Sequence, residues 1–374
     1  MNSRTQTPPP PDTVLLNPGP VNVDPEVRRA LNYPDVCHRE PEVAALMSAT
    51  REKIARVCGG SEDHIGVLIT GSGTAALEAA FASIVPPDGR ILILDNGHYG
   101  KRLREIVAAH GVPSQGLEFG WTNQFDLGLI DRTLAAEPAI THVGMVHHET
   151  STGMLNPLRE VGELVARHCR SLAVDAISSL GSEALDLRVD HIDWCVGTAN
   201  KCLEGLPGIS FVCAPRSKLR ELGDWDPRGY YLDLHRHFIA QEDDEAPAFT
   251  PAAQILYAFD RALDLALAET PAGRGRRYRE RADELRACLD RVGLQPLLAA
   301  EEMANSVTVS HLPAEIPYAE LHDALKQRGF VVYATQPQLG PTVRIANMGC
   351  LTAQNMAHFT AALEQVVGEL QAKP

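Results

Sequence analysis

The sequence predicts an α/β protein in two parts: a large domain on a mostly parallel sheet, then a smaller α+β domain towards the C-terminus. Three observations carry this. Between residues 64 and 213, short apolar, β-branched runs alternate with helix-forming stretches, as strands do when helices cover both faces of their sheet. At 241–251 the pattern breaks into an acidic, proline-marked loop, QEDDEAPAFTP. Beyond it, two long amphipathic helices lead to three more strand-like runs. With 374 residues the chain is long enough for more than one hydrophobic core.

Each element follows in order. Residues 1–12, MNSRTQTPPPPD, read as a disordered lead-in without the apolar segment of a secretory leader. In LLNPGPVNVDPEVRRAL, Pro18 to Pro20 make a sharp bend, and Asp24 caps a helix that has Pro25 in its first position and Glu26 in its first turn. HIGVLIT (64–70), RILILD (90–95), ITHVGMVH (140–147) and SLAVDA (171–176) predict strands. The stretches GTAALEAAFASI, YGKRLREIVAAHG and LREVGELVARHC between them predict helices. DWCVGT and GISFVCA add two strands. In the second part, AAQILYAFDRALDLALAE and GRGRRYRERADELRACLDRVG predict helices, the arginine-rich face of the latter lying in solvent. NSVTVSHL, GFVVYAT and TVRIANMG predict a small sheet covered by helices at 317–327 and 352–370. The expected divisions are a lead-in at 1–12, a large domain at 13–265 and a small domain at 266–374.

Composition narrows the function. Net charge is −14, against the basic face of a nucleic-acid binder. No apolar run approaches membrane-spanning length. The eight cysteines form no C-x-x-C pair, and several sit in apolar runs, as expected of reduced core residues in a cytoplasmic protein. Small molecules are the expected partners, with neither nucleic acid nor membrane.

Four stretches could carry chemistry. NKCLEGLPG (200–208) sets Lys201 between two buried-strand patterns, where a lysine either turns out to water or does work. In ITGSGTAALEAA, a Gly-Ser-Gly-Thr turn opens a helix, so Ser72, Gly73 and Thr74 either cap that helix or cradle an anion. SLAVDAISSLG ends a strand at Asp175, on the sheet edge where ligands gather, as a cap, an ion pair or a ligand group. TVRIANMG places Arg344 in a strand, as a structural pair or an anion clamp. The adjacent His147 and His148 point to opposite sides of a strand, which disfavours a shared metal. A phosphate cradle, a strand-end carboxylate and a buried lysine are together the parts that pyridoxal 5'-phosphate requires. The lysine bonds its aldehyde, and the carboxylate keeps its ring nitrogen protonated.

LLNPGP, GSGTAALEA, HHETSTGMLNP, VDAISSLG, ANKCLEGLPG and VRIANMG occur in the order found in class V, fold-type I pyridoxal-phosphate aminotransferases, and the chain resembles that family from Leu15 to its last helix. The resemblance implies roles. Lys201 would hold the cofactor covalently and shuttle protons, and Asp175 would pair with the ring nitrogen. Ser72, Gly73 and Thr74 would hold the phosphate, and Tyr99 would stack on the ring. Thr150 would touch the ring hydroxyl, Ile177 would lie against the ring, and Asn200 would be a polar neighbour. Thr250 would reach the phosphate of a partner subunit, making a homodimer with shared active sites. Arg344 would grip the substrate's acid group, with the backbone at Gly19 lining the substrate mouth. ETSTGMLNP and ANKCLEGLPG resemble members that pass an amino group from an aminophosphonate to a 2-oxo acid. CHREPEV (37–43), TPAA (250–253) and YATQPQLGPTVRIANMG depart from those members. The alternatives are an alanine–glyoxylate or serine–pyruvate type transaminase, a lyase on the same scaffold, and a non-catalytic regulator.

Overall fold

The computed structural model describes residues 13–372, so the expected lead-in lies outside the described residues. The chain opens with β1 (Val14–Leu15), α1 (Pro25–Arg29) and α2 (Pro41–Val57). Asp24 caps α1 as expected, its side chain accepting from Glu26 N. Strand–helix alternation follows: β2 (His64–Thr70), α3 (Gly73–Ser83), β3 (Arg90–Asp95), α4 (His98–Ala109), β4 (Ser114–Glu118), α5 (Leu127–Ala136) and β5 (Ile140–Val146). A small hairpin of β6 (His148–Glu149) and β7 (Met154–Leu155) leads to α6 (Leu158–Arg167) and β8 (Ser171–Asp175). The large sheet is completed by β9 (Trp194–Thr198) and β10 (Ile209–Pro215).

Short helices α7 (Arg216–Glu221) and α8 (Leu234–Glu242) precede the long α9 (Ala253–Glu269) and α10 (Pro271–Arg291). Then come β11 (Val307–His311), α11 (Tyr318–Gln327), β12 (Phe330–Val331), β13 (Tyr333–Ala334), β14 (Thr342–Ala346) and α12 (Ala353–Gln371).

The large sheet has the order β2-β10-β9-β8-β5-β3-β4. Only β10 runs antiparallel to its neighbours, so the C-terminal ends of β3, β5, β8 and β9 share one edge. The interior strands are buried on both faces, which is why they read as unbroken apolar runs. One apolar core packs α2, α6 and α9 on one side of the sheet, and a second packs α3 and α4 on the other. A third core fills the space between α10, α11, α12 and the sheet β11-β14-β13. The N-terminal segment joins the two parts. β1 pairs in parallel with β12, and Leu16 O accepts from Ala346 N at 2.8 Å.

Two expectations are corrected. The arginine-rich face of α10 is solvated only in part: Arg276 and Arg279 are exposed, whereas Arg274 and Arg277 turn inward. Arg274 is 3% exposed, donates to Cys202 O at 3.2 Å, and bonds Glu269 at 2.8 Å. Acidic partners supplied by other segments make its burial affordable. Nor are all the cysteines core residues, since Cys37 and Cys169 are exposed. Edge strand β4 and helix α5 are additional elements, and the expected domain junction at 265 falls within α9. Among the described residues, no helix is long and apolar enough to cross a membrane.

Candidate active site

The shared strand edge ends in a cavity of about 180 Å³. Nine of the residues singled out from sequence line it: Gly19, Ser72, Gly73, Thr74, Tyr99, Asp175, Ile177, Asn200 and Lys201. Each arrives by local chain chemistry.

Lys201 follows β9 in a tight connection closed by Gly205 N to Ala199 O at 2.8 Å and Glu204 N to Lys201 O at 2.9 Å. Glu204 has φ +61°, a strained value for a residue with a Cβ, and it is held there from outside. Its carboxylate accepts from Arg277 Nη2 and from the Tyr278 hydroxyl, each at 3.0 Å. The buried face of α10 therefore anchors the lysine loop. The Lys201 amine donates to Pro18 O. Gly19, at φ +91°, lies against the lysine stem, and a Cβ there would sit 2.8 Å from Lys201 Cδ. Burial pushes the amine down to about 8; Arg344 and Arg102 push the same way, while Cys202 and Asp175 oppose them.

Asp175 ends β8 and is 3% exposed. Its Oδ1 accepts from Ile177 N at 3.0 Å, and its Oδ2 accepts from Arg102 Nη2 at 3.2 Å. Burial raises its carboxyl above the usual range, and the Arg102 guanidinium is the strongest opposing influence. Ser72 is the N-cap of α3 but makes no side-chain capping bond, so the capping alternative fails and its hydroxyl is left for a ligand. The first N–H groups of α3 lack partners within the helix. Gly73 is needed for space, since a Cβ there would lie 2.6 Å from Ile177 Cδ1.

Tyr99 sits in the first turn of α4, and a buried carboxylate fixes that turn. Glu149 Oε2 accepts from Tyr99 N at 2.9 Å and Gly100 N at 3.1 Å. Its Oε1 accepts from Ser151 N at 3.1 Å and Ser151 Oγ at 2.5 Å. Asn200 Oδ1 accepts from Thr198 Oγ1 at 3.0 Å.

Three expected site residues lie outside the cavity lining. Arg344, on β14, is 7% exposed and donates to Thr150 O at 3.0 Å. Its Nε is buried without a partner, and among the described residues it makes no carboxylate ion pair, which leaves donor capacity for an acid group. Thr150 is buried and contributes its carbonyl to that guanidinium. Thr250 is exposed on the surface before α9.

Arg102 and His148 also line the cavity; sequence reasoning missed the first and weighed the second only as a metal ligand. Arg102 stands one helical turn after Tyr99, a spacing that puts both on one face of α4. His148 Nδ1 lies 3.2 Å from Ser178 O, and burial holds its imidazole neutral at about 3. Among the described residues, no group of three or more His, Cys, Asp or Glu could hold a metal.

The donor set fits pyridoxal 5'-phosphate. A helix start with the uncommitted Ser72 hydroxyl suits a phosphate, a buried carboxylate suits a ring N–H, and a depressed lysine suits an aldehyde. The match to known proteins agrees. Residues 28–352 match the family described as Aminotransferase class-V. The 2-aminoethylphosphonate–pyruvate transaminase of Syntrophobacter fumaroxidans is 34% identical over 359 residues, covering 95% of this chain and 96% of that protein. Its namesake in Salmonella typhimurium is 33% identical over 354 residues, covering 94% and 96%. Among solved structures, a ureidoglycine–glyoxylate aminotransferase from Bacillus subtilis superposes with TM-score 0.91 at 28% identity, covering 97% of this chain and 95% of that one. An alanine–glyoxylate aminotransferase from Nostoc sp. gives TM-score 0.89 at 28% identity, covering 98% of both chains.

Proposed function

The chain belongs to the class V aminotransferases, and from that premise we propose that it moves the amino group of 2-aminoethylphosphonate to pyruvate, giving phosphonoacetaldehyde and L-alanine in a ping-pong cycle. The observation that carries this is the identity of 33–34% to transaminases of that name over nearly the whole chain. The family's cofactor is pyridoxal 5'-phosphate. When bound, it supplies an electron sink for the carbon that loses its proton.

The protein's part is binding, orientation and proton movement. Ser72, the N–H of Gly73 and Thr74 would hold the phosphate, Asp175 the ring nitrogen, and Tyr99 and Ile177 the ring. Thr150 and Asn200 would stand beside it as polar neighbours. Lys201 Nζ would bond the cofactor and, once released, take the proton from the amine-bearing carbon of the donor and return one to the carbonyl carbon of the acceptor. An amine near 8 is neutral often enough at physiological pH to act as that base. Arg344 would grip the phosphonate of one substrate and the carboxylate of the other, since a planar fork accepts both. Gly19 would line the mouth.

We read the enzyme as a cytoplasmic homodimer in which Thr250 reaches the partner's phosphate. Its exposed position outside its own cavity supports this. The likeness to a solved alanine–glyoxylate aminotransferase favours a second reading, an alanine–glyoxylate type enzyme. Comparing kcat/KM for 2-aminoethylphosphonate, alanine and serine, each with pyruvate or glyoxylate, decides between them. A preference for alanine with glyoxylate of about tenfold, roughly 1.4 kcal/mol of transition-state discrimination, would replace the first reading by the second.

A further inference from the structure

Helix α4 carries Lys101, Arg102 and Arg104 close together, and only Arg102 turns inward. Lys101 reaches towards Glu105, and Arg104 pairs with Asp95 and Glu118. The Arg102 guanidinium instead lies 4.6 Å from the centre of the Tyr99 ring and spans two parts of the cavity wall. Its Nη2 donates to Asp175 Oδ2 at 3.2 Å, and its Nη1 lies 3.4 Å from Thr74 Oγ1. Its Nε is buried and has no partner. Asp175 Oδ1 is taken by Ile177 N, so the two oxygens of this carboxylate are held from opposite sides.

We infer that Arg102 is a positioning residue for the cofactor: by fixing Oδ2 it keeps the buried Asp175 ionised and in one orientation for the ring nitrogen of pyridoxal 5'-phosphate. A buried carboxylate without a cation takes up a proton or turns towards other donors, and in either case it no longer serves a ring N–H. The charged groups facing Asp175 are Arg102 from α4 and Lys201 from the loop after β9, and Lys201 is committed to the cofactor's aldehyde. Until the ring N–H is in place, the ionisation of Asp175 therefore depends on Arg102. The contact with Thr74 offers a competing role at the phosphate end. The inference rests on the cofactor and is independent of which amine is the substrate.

The test is equilibrium dialysis of pyridoxal 5'-phosphate and of pyridoxal, which lacks the phosphate, against wild type, R102M, R102K, D175N and R102M/D175N. R102M is expected to weaken both ligands by a similar factor of about tenfold or more. R102K is expected to recover most of that loss. In the D175N background R102M is expected to add less than about twofold, because its effect passes through Asp175. Loss of pyridoxal 5'-phosphate binding with pyridoxal unaffected would assign Arg102 to the phosphate and overturn the inference. Full additivity with D175N, or unchanged affinity in R102M, would overturn it too. Should R102M not fold, R102Q is read by the same criteria. A wild type that binds neither ligand would sink the cofactor assignment itself, an outcome distinct from the others.

Discussion

Replacing Glu149 by glutamine tests how α4, and with it Tyr99 and Arg102, is held at the cavity. Four donors converge on this fully buried carboxylate: two N–H groups of α4 on Oε2, and the N–H and hydroxyl of Ser151 on Oε1. An amide has a single oxygen. With its oxygen on the α4 pair, its NH2 faces Ser151, where the hydroxyl can turn to accept but the N–H is left donor against donor. At least one hydrogen bond to a charged acceptor is lost, at about 1.5–3 kcal/mol. Loss of a negative charge at a helix N-terminus adds about 0.3–1 kcal/mol. Relief of the buried charge works the other way, since burial raises the Glu149 carboxyl above its usual range. The net expectation is a loss of about 1–3 kcal/mol. Urea unfolding of the cofactor-loaded enzyme measures it, and dialysis should show weaker cofactor binding as the first turn of α4 shifts. There is no room to adapt, because Gly97 packs so closely that a Cβ there would lie 2.4 Å from Glu149 Cδ. If E149Q unfolds within about 0.5 kcal/mol of wild type and holds the cofactor as tightly, the reasoning fails.

Borohydride reduction of the loaded enzyme should fix the cofactor on Lys201, and a peptide map with the label on Lys53, Lys101, Lys218 or Lys326 would reject that assignment. Arg344→Lys should lower kcat/KM for both 2-aminoethylphosphonate and pyruvate, and Arg344→Ala should lower it further, by on the order of 10²-fold; an effect on one substrate alone contradicts a shared clamp. Burial raises the Glu183 carboxyl from 4.5 to about 7. Its folded state therefore binds a proton more readily than the unfolded chain, so its contribution to stability is fully present below 4.5 and is lost as pH rises through about 7. Glu183→Gln should flatten that decline, worth at most about 3 kcal/mol, when urea midpoints at pH 5 and pH 8 are compared; an unchanged slope would assign the decline to other groups.

Local patterns made much of this legible. Lys201, Asp175 and the Ser72–Thr74 turn are each marked by a change from apolar strand to small or polar residues, and each lies on the shared sheet edge. Arg102 carried no such mark. It is one of three basic residues close together on an amphipathic helix, and only the placement of β3 beside β5, with β8 beyond, sets it against Asp175. The arginines of α10 misled for a related reason. Their partners, Glu204 and Glu269, come from other segments, and a helix face read alone does not reveal them. β4 was hidden because its alternately exposed residues give an edge strand little apolar content.

The stretch from Leu16 to Gly19 has a bearing on substrate length. At one end Leu16 is bonded to Ala346, beyond Arg344 on the same strand; at the other, Pro18 and Gly19 rest on Lys201. The span between guanidinium and amine is thus gauged by a run of main chain as well as by the side chains themselves. If Arg344 and Lys201 hold the two ends of the donor as proposed, re-sizing the enzyme for a donor longer by a methylene would mean re-cutting this run, and altering either side chain alone would leave the gauge as it was.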